Sequence, residues 1–151
     1  MSGHRLRRVL LTTMVMLAVG GGAAQAHIEP SVDKYKAGST ATVSFTVTHG
    51  CNGSPTTKLV MRLPATVTAP APVAPKGWKT AVSADKRLVT WSGGSLPATR
   101  HGVFAVKMTF PNSPGTILSF PIVQTCKVGL TRWAGTSEKD ERPAPVITLT
   151  K

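Results

Sequence analysis

Residues 40–49 read Thr-Ala-Thr-Val-Ser-Phe-Thr-Val-Thr-His. Every second position is apolar: Ala41, Val43, Phe45 and Val47 alternate with Thr40, Thr42, Ser44, Thr46 and Thr48. A period of two places one set on each face of an extended chain, so this stretch predicts a β-strand with one buried face. The β-branched threonines and valines favour the same conformation.

The pattern recurs on both sides. Residues 58–63 place Leu59 and Met61 opposite Val60, and Pro64 ends the run. Residues 103–110 set Val103, Ala105 and Lys107 against Phe104, Val106 and Met108. Residues 77–83 and 87–91 read as a hairpin turning at Ala84-Asp85-Lys86, with Trp78 and Trp91 expected to meet across it. Further strands are expected over 116–126, with Pro121 as a bend, and over 130–134 and 146–149. Residues 64–76 carry four prolines and predict an extended connection, and 93–97 and 137–142 predict loops. No amphipathic helix is visible after residue 26. Seven or eight short strands predict an all-β, single-domain antiparallel β-sandwich.

Residues 1–26 have a different character. Arg5, Arg7 and Arg8 precede an apolar run over residues 9–20, and Ala24-Gln25-Ala26 forms a small-residue cleavage site. This is the pattern of an export signal, and the Arg7-Arg8 pair leaves a twin-arginine route open beside the general one. The run of 12 residues is shorter than the roughly 20 needed to span a bilayer as a helix. Domain organisation is therefore read as signal peptide 1–26 and one β-sandwich domain 27–151. The product would be periplasmic or extracellular, with no membrane span in the mature chain.

The whole chain holds 18 Lys+Arg and 6 Asp+Glu. Removing three arginines with the signal leaves 15 basic residues against 6 acidic, a charge of +9. The basic residues are scattered and aromatic residues are 5% of the chain, so nucleic-acid binding, which needs clustered cations and stacking rings, is not expected. Two cysteines, Cys51 and Cys126, remain in the mature chain. In an exported protein they most simply form one disulfide; thiolate metal ligation is the alternative, without the support of a Cys-x-x-Cys spacing.

Cleavage after Ala26 would make His27 the first residue. Its α-amine and imidazole Nδ1 would then close a chelate of neutral nitrogens suited to Cu(II). Histidine at the third position of the new terminus, the other amino-terminal copper motif, is absent because Glu29 stands there. His49, at a strand end before Gly50-Cys51, is the second candidate ligand, and His101 is the third. Between Asp33 and Asp85 there is no acidic residue, which leaves few carboxylate ligands and favours a histidine-dominated site. Trp133 follows Cys126 closely enough to border that site or to be core. Only Met61 and Met108 remain as thioethers, too few for a methionine-rich Cu(I) carrier. No Gly-x-Ser-x-Gly, phosphate loop or paired carboxylate is present, so no catalytic residue is assigned.

The motifs Ala26-His27, His49-Gly50-Cys51-Asn52-Gly53-Ser54-Pro55, Pro75-Lys76-Gly77-Trp78, Trp91-Ser92-Gly93-Gly94-Ser95-Leu96-Pro97, Phe120-Pro121-Ile122-Val123-Gln124-Thr125-Cys126 and Arg132-Trp133 occur in order along the mature chain. Together they resemble the YcnI-like family of exported bacterial copper-binding domains, in its His-Gly-Cys branch. The resemblance implies an immunoglobulin-like or cupredoxin-like sandwich holding Cu(II) at the amino-terminal histidine, with Trp133 beside the metal. A family glutamate ligand has no counterpart here, and His49 occupies the equivalent segment, which implies that it replaces the carboxylate. A copper chaperone or copper transporter is the partner implied, and the role is copper trafficking or homeostasis rather than catalysis. Two rivals stand beside this: a copper mono-oxygenase using the same terminal histidine, opposed by the small size and the single Tyr35, and a secreted interaction module without metal.

Overall fold

The computed structural model describes residues 27–151; the signal-peptide reading of 1–26 lies outside the described residues. The described chain is all-β, with twelve strands and no helix, in place of the seven or eight strands expected. They are β1 (Ile28–Pro30), β2 (Lys34–Lys36), β3 (Thr40–Val47), β4 (Thr56–Arg62), β5 (Thr68–Val73), β6 (Lys79–Val82), β7 (Leu88–Leu96), β8 (Gly102–Thr109), β9 (Ile117–Ser119), β10 (Ile122–Cys126), β11 (Leu130–Trp133) and β12 (Val146–Thr150).

One sheet has the order β1-β3-β8-β5 and the second β11-β10-β4-β7-β6. A small third sheet, β2-β12-β9, contains the one parallel pair, β2 with β12; the other pairs are antiparallel. The alternation of the opening stretch is the alternation of burial: Val43, Phe45 and Val47 are buried on β3, and Phe104, Val106 and Met108 face inward on β8. The second sheet answers with Leu59, Met61, Val89, Trp91 and Ile122. Burial of these side chains, worth about 1.5–3 kcal/mol each, is what holds the two sheets face to face.

Four readings change. Residues 64–76 contain β5, which tolerates Pro70 and Pro72 because it is an edge strand paired only with β8, through a register shift between Thr68 and Ala71. β7 continues through Gly93-Gly94-Ser95 to Leu96; Gly94 has no side chain because the Trp78 ring lies against it. The two tryptophans do not stack on each other: Trp78 and Trp91 both pack edge-on against Phe104 of the opposite sheet, at ring-centre distances of 4.9 and 5.9 Å. The long strand expected over 116–126 is broken at Phe120-Pro121 into β9 and β10, which belong to different sheets, and Phe120 turns inward against Phe45.

Candidate functional site

The amino-terminal edge is built on the pairing of β1 with β3. Ile28 lies opposite Val47, and one step further Thr48 Oγ1 donates to the His27 carbonyl at 3.3 Å. His27 therefore lies against the segment that leads into His49. Its ring is one-fifth exposed, with Nδ1 3.5 Å from a carboxylate oxygen of Glu29, while Nε2 is buried and has no hydrogen-bond partner. Glu29 shares the His27 face, as two residues apart on a strand must. The two residues open onto a cleft of about 490 Å³, whose other acidic groups are Asp33 and Glu138 and whose floor includes Ile28 and Pro143-Ala144-Pro145.

His49 is positioned differently. Its Nδ1 lies 2.8 Å from the carbonyl oxygen of Gly50. A carbonyl only accepts, so Nδ1 carries the proton, and in the neutral ring Nε2 then holds the lone pair, the arrangement that orients metal-binding histidines elsewhere. Gly50 is buried, and its missing side chain is required: a Cβ there would collide with the Ser54 carbonyl and press on Ala98. Cys51 then bonds to Cys126, with Cα atoms 6.0 Å apart, and its N–H points at the Cys126 sulfur at 3.0 Å. The disulfide excludes both cysteines as thiolate ligands. Each residue of His-Gly-Cys thus has its own physical task.

Trp133 is buried on β11, and its ring centre is 6.4 Å from that of His49. Its indole N–H donates to Gln124 Oε1 at 2.9 Å, while Gln124 Nε2 donates to the His49 carbonyl at 2.8 Å and to Thr56 Oγ1 at 2.7 Å. Gln124 and Thr56 are the two buried polar side chains of the described residues. Sequence reasoning assigned neither a role. It also passed over Glu29 as a ligand, although the shared face with His27 was visible in the spacing. His101 is exposed, just before β8, and makes none of these contacts.

The edge therefore brings His27 to Glu29, and His49 to Trp133, on neighbouring segments. Among the described residues no three His, Cys, Asp or Glu side chains converge as a metal cage. The donors present are imidazole nitrogens and a carboxylate oxygen, the set that Cu(II) accepts and that a soft Cu(I) ion would not select. His27 Nδ1, the ring nitrogen an amino-terminal chelate requires, is the one turned toward the carboxylate, and Nε2 is the one buried.

The sequence profile described as Domain of unknown function (DUF1775) matches residues 27–149. No curated protein sequence matches. Among solved structures, a Nocardia farcinica protein with an immunoglobulin-like fold superimposes with a TM-score of 0.71 at 24% identity, covering 83% of this chain and 99% of that one. The third cohesin of ScaC from Acetivibrio cellulolyticus, solved in complex with the ScaB dockerin, gives 0.54 at 14% identity, over 83% and 99%. A type III cohesin module from the cell-surface anchoring scaffoldin ScaE of Ruminococcus flavefaciens gives 0.53 at 12%, over 91% and 94%. The fold is thus immunoglobulin-like.

Proposed function

The chain belongs to the DUF1775 family, and we propose that it is an exported Cu(II)-binding protein of copper trafficking or homeostasis, without enzymatic activity. Cleavage after Ala26 frees the amine of His27, and amine and Nδ1 hold the metal. Glu29 supplies a carboxylate oxygen; His49 Nε2, with Trp133 beside it, joins as a further nitrogen only if its segment shifts on binding, because the three side chains do not converge in the metal-free protein. The single observation that carries the reading is the turn of His27 Nδ1 toward the Glu29 carboxylate at 3.5 Å, at the mouth of a cleft. The family profile begins at His27, the residue that cleavage would expose, and the disulfide suits an oxidising compartment. Bound copper would supply a Lewis-acidic, redox-capable centre. The His27 and Glu29 groups hold it at an open cleft, where a copper chaperone or transporter can reach it.

The test is titration of the mature protein with Cu(II), read by paramagnetic resonance. A spectrum with nitrogen coupling is expected, and it should vanish when one residue is added before His27. Copper binding that survives this extension overturns the chelate. A metal-free docking module is the second reading, favoured by the likeness of the fold to cohesins solved with dockerins. Absence of any saturable Cu(II) binding by the mature protein would select it.

A further inference from the structure

We infer that Gln124 is a positioning residue: its carboxamide fixes the His49 backbone and the Trp133 indole relative to each other. The inference rests on the proposal that His49 and Trp133 border the copper, but the joint itself exists in the metal-free protein.

A buried primary amide is costly unless its groups are paired. Gln124 is 1% exposed, and both ends of its amide are in use. Its nitrogen donates to the His49 carbonyl and to Thr56 Oγ1, and its oxygen accepts from the Trp133 indole. These partners come from three places: the connection after β3, the start of β4, and the end of β11. Gln124 sits on β10 between β4 and β11, two residues before the disulfide and on the same buried face. A fully paired network in a low-dielectric interior specifies one geometry, because every alternative leaves a polar group bare.

Two consequences follow for the site. The His49 carbonyl is held from one side while the His49 ring is held through Nδ1 by the Gly50 carbonyl, so the direction of Nε2 is set by two independent bonds. The Trp133 N–H is spent on Gln124, so what the indole offers His49 is ring surface. Glutamate in place of Gln124 would oppose a carboxylate to the His49 carbonyl and lose both donations. Leucine would leave the His49 carbonyl and the indole N–H unpaired.

The experiment uses the mature, disulfide-intact protein labelled with nitrogen-15. In the metal-free wild type, the Trp133 indole proton should exchange slowly and the His49 ring should show the Nδ1–H tautomer. In Gln124→Leu, which removes the indole's acceptor, indole exchange should accelerate at least tenfold, and in both Gln124→Leu and Gln124→Glu the His49 ring signals should move. Thr56→Val, which removes one partner and keeps the other two, should lower stability while leaving the His49 and Trp133 signals in place. Cu(II) spectra of the Gln124 variants should change in the manner of His49→Ala. A folded Gln124→Leu protein with wild-type exchange and ring signals overturns the inference. So does fast indole exchange in the wild type, which needs no variant to fold. A copper spectrum indifferent to His49→Ala would instead remove His49 from the copper site; the metal-free measurements still decide the role of Gln124.

Discussion

At the scale of single residues, the site depends on what each group leaves free. His27 has one ring nitrogen toward Glu29 and the other buried without a partner. Glu29→Gln keeps the shape and removes the charge, and Cu(II) affinity should fall about tenfold, or about 1.4 kcal/mol, in a competition titration. Unchanged affinity would remove Glu29 from the site. Gly50→Ala forces a methyl into the Ser54 carbonyl. Overpacking of this kind costs about 1–3 kcal/mol. The urea midpoint should shift accordingly, and a variant as stable as the wild type would show that the Gly50 backbone can move. The residue types at this edge were legible: a histidine after a small-residue pattern of the kind that precedes cleavage, then His-Gly-Cys. The Gln124 joint was not. It depends on strand register across three segments, and nothing local to Phe120-Pro121-Ile122-Val123-Gln124 indicates which side chains it will meet.

At the scale of elements, strands that bury one face and expose the other announce themselves, as β3 and β8 do. Strands hidden by prolines or glycines do not: β5 looks like a linker because Pro70 and Pro72 lack N–H groups, and an edge strand does not need them all. The disulfide ties the β3–β4 connection to the end of β10 across a sequence separation of 75. In the chain-entropy model a loop of that length stabilises by roughly 4.5 kcal/mol. Reduction, or Cys51→Ala with Cys126→Ala, should lower the urea midpoint by a corresponding amount; a shift under about 1 kcal/mol would mean that packing alone holds this end. The β6–β7 turn gives a pH test. The Ser83 hydroxyl and then the Arg87 backbone N–H bond to Asp85 and hold its carboxyl below the ordinary 3.8. A depressed value means that the folded state favours the charged form. The contribution is therefore present above about pH 3.8 and lost as pH falls through the lower folded value. Wild type and Asp85→Asn should differ in stability at neutral pH and converge in acid; a difference that persists unchanged in acid would rule out the carboxylate as its source.

At the scale of the whole molecule, charge is segregated. The described residues carry 15 basic and 6 acidic groups, yet three of those six acids, Glu29, Asp33 and Glu138, line the cleft at His27, and no lysine or arginine does. An otherwise cationic protein would repel Cu(II) and raise its cost of binding; a local negative field at the cleft proposed for the metal would offset that. Asp33 and Glu138 act at a distance in this scheme, as rim charges rather than ligands. Asp33→Asn combined with Glu138→Gln should therefore weaken Cu(II) binding by about two- to tenfold in 20 mM salt, within the range of roughly 0.2–1 kcal/mol per exposed charge. The loss should shrink toward nothing in 1 M salt, where screening acts within about 3 Å. The Glu29→Gln loss should persist in high salt, because a ligand in contact with the metal is not screened in the same way. Equal salt dependence of the two variants would contradict this division of roles, and no effect of the rim variant at low salt would show that the acidic cleft does not serve the metal.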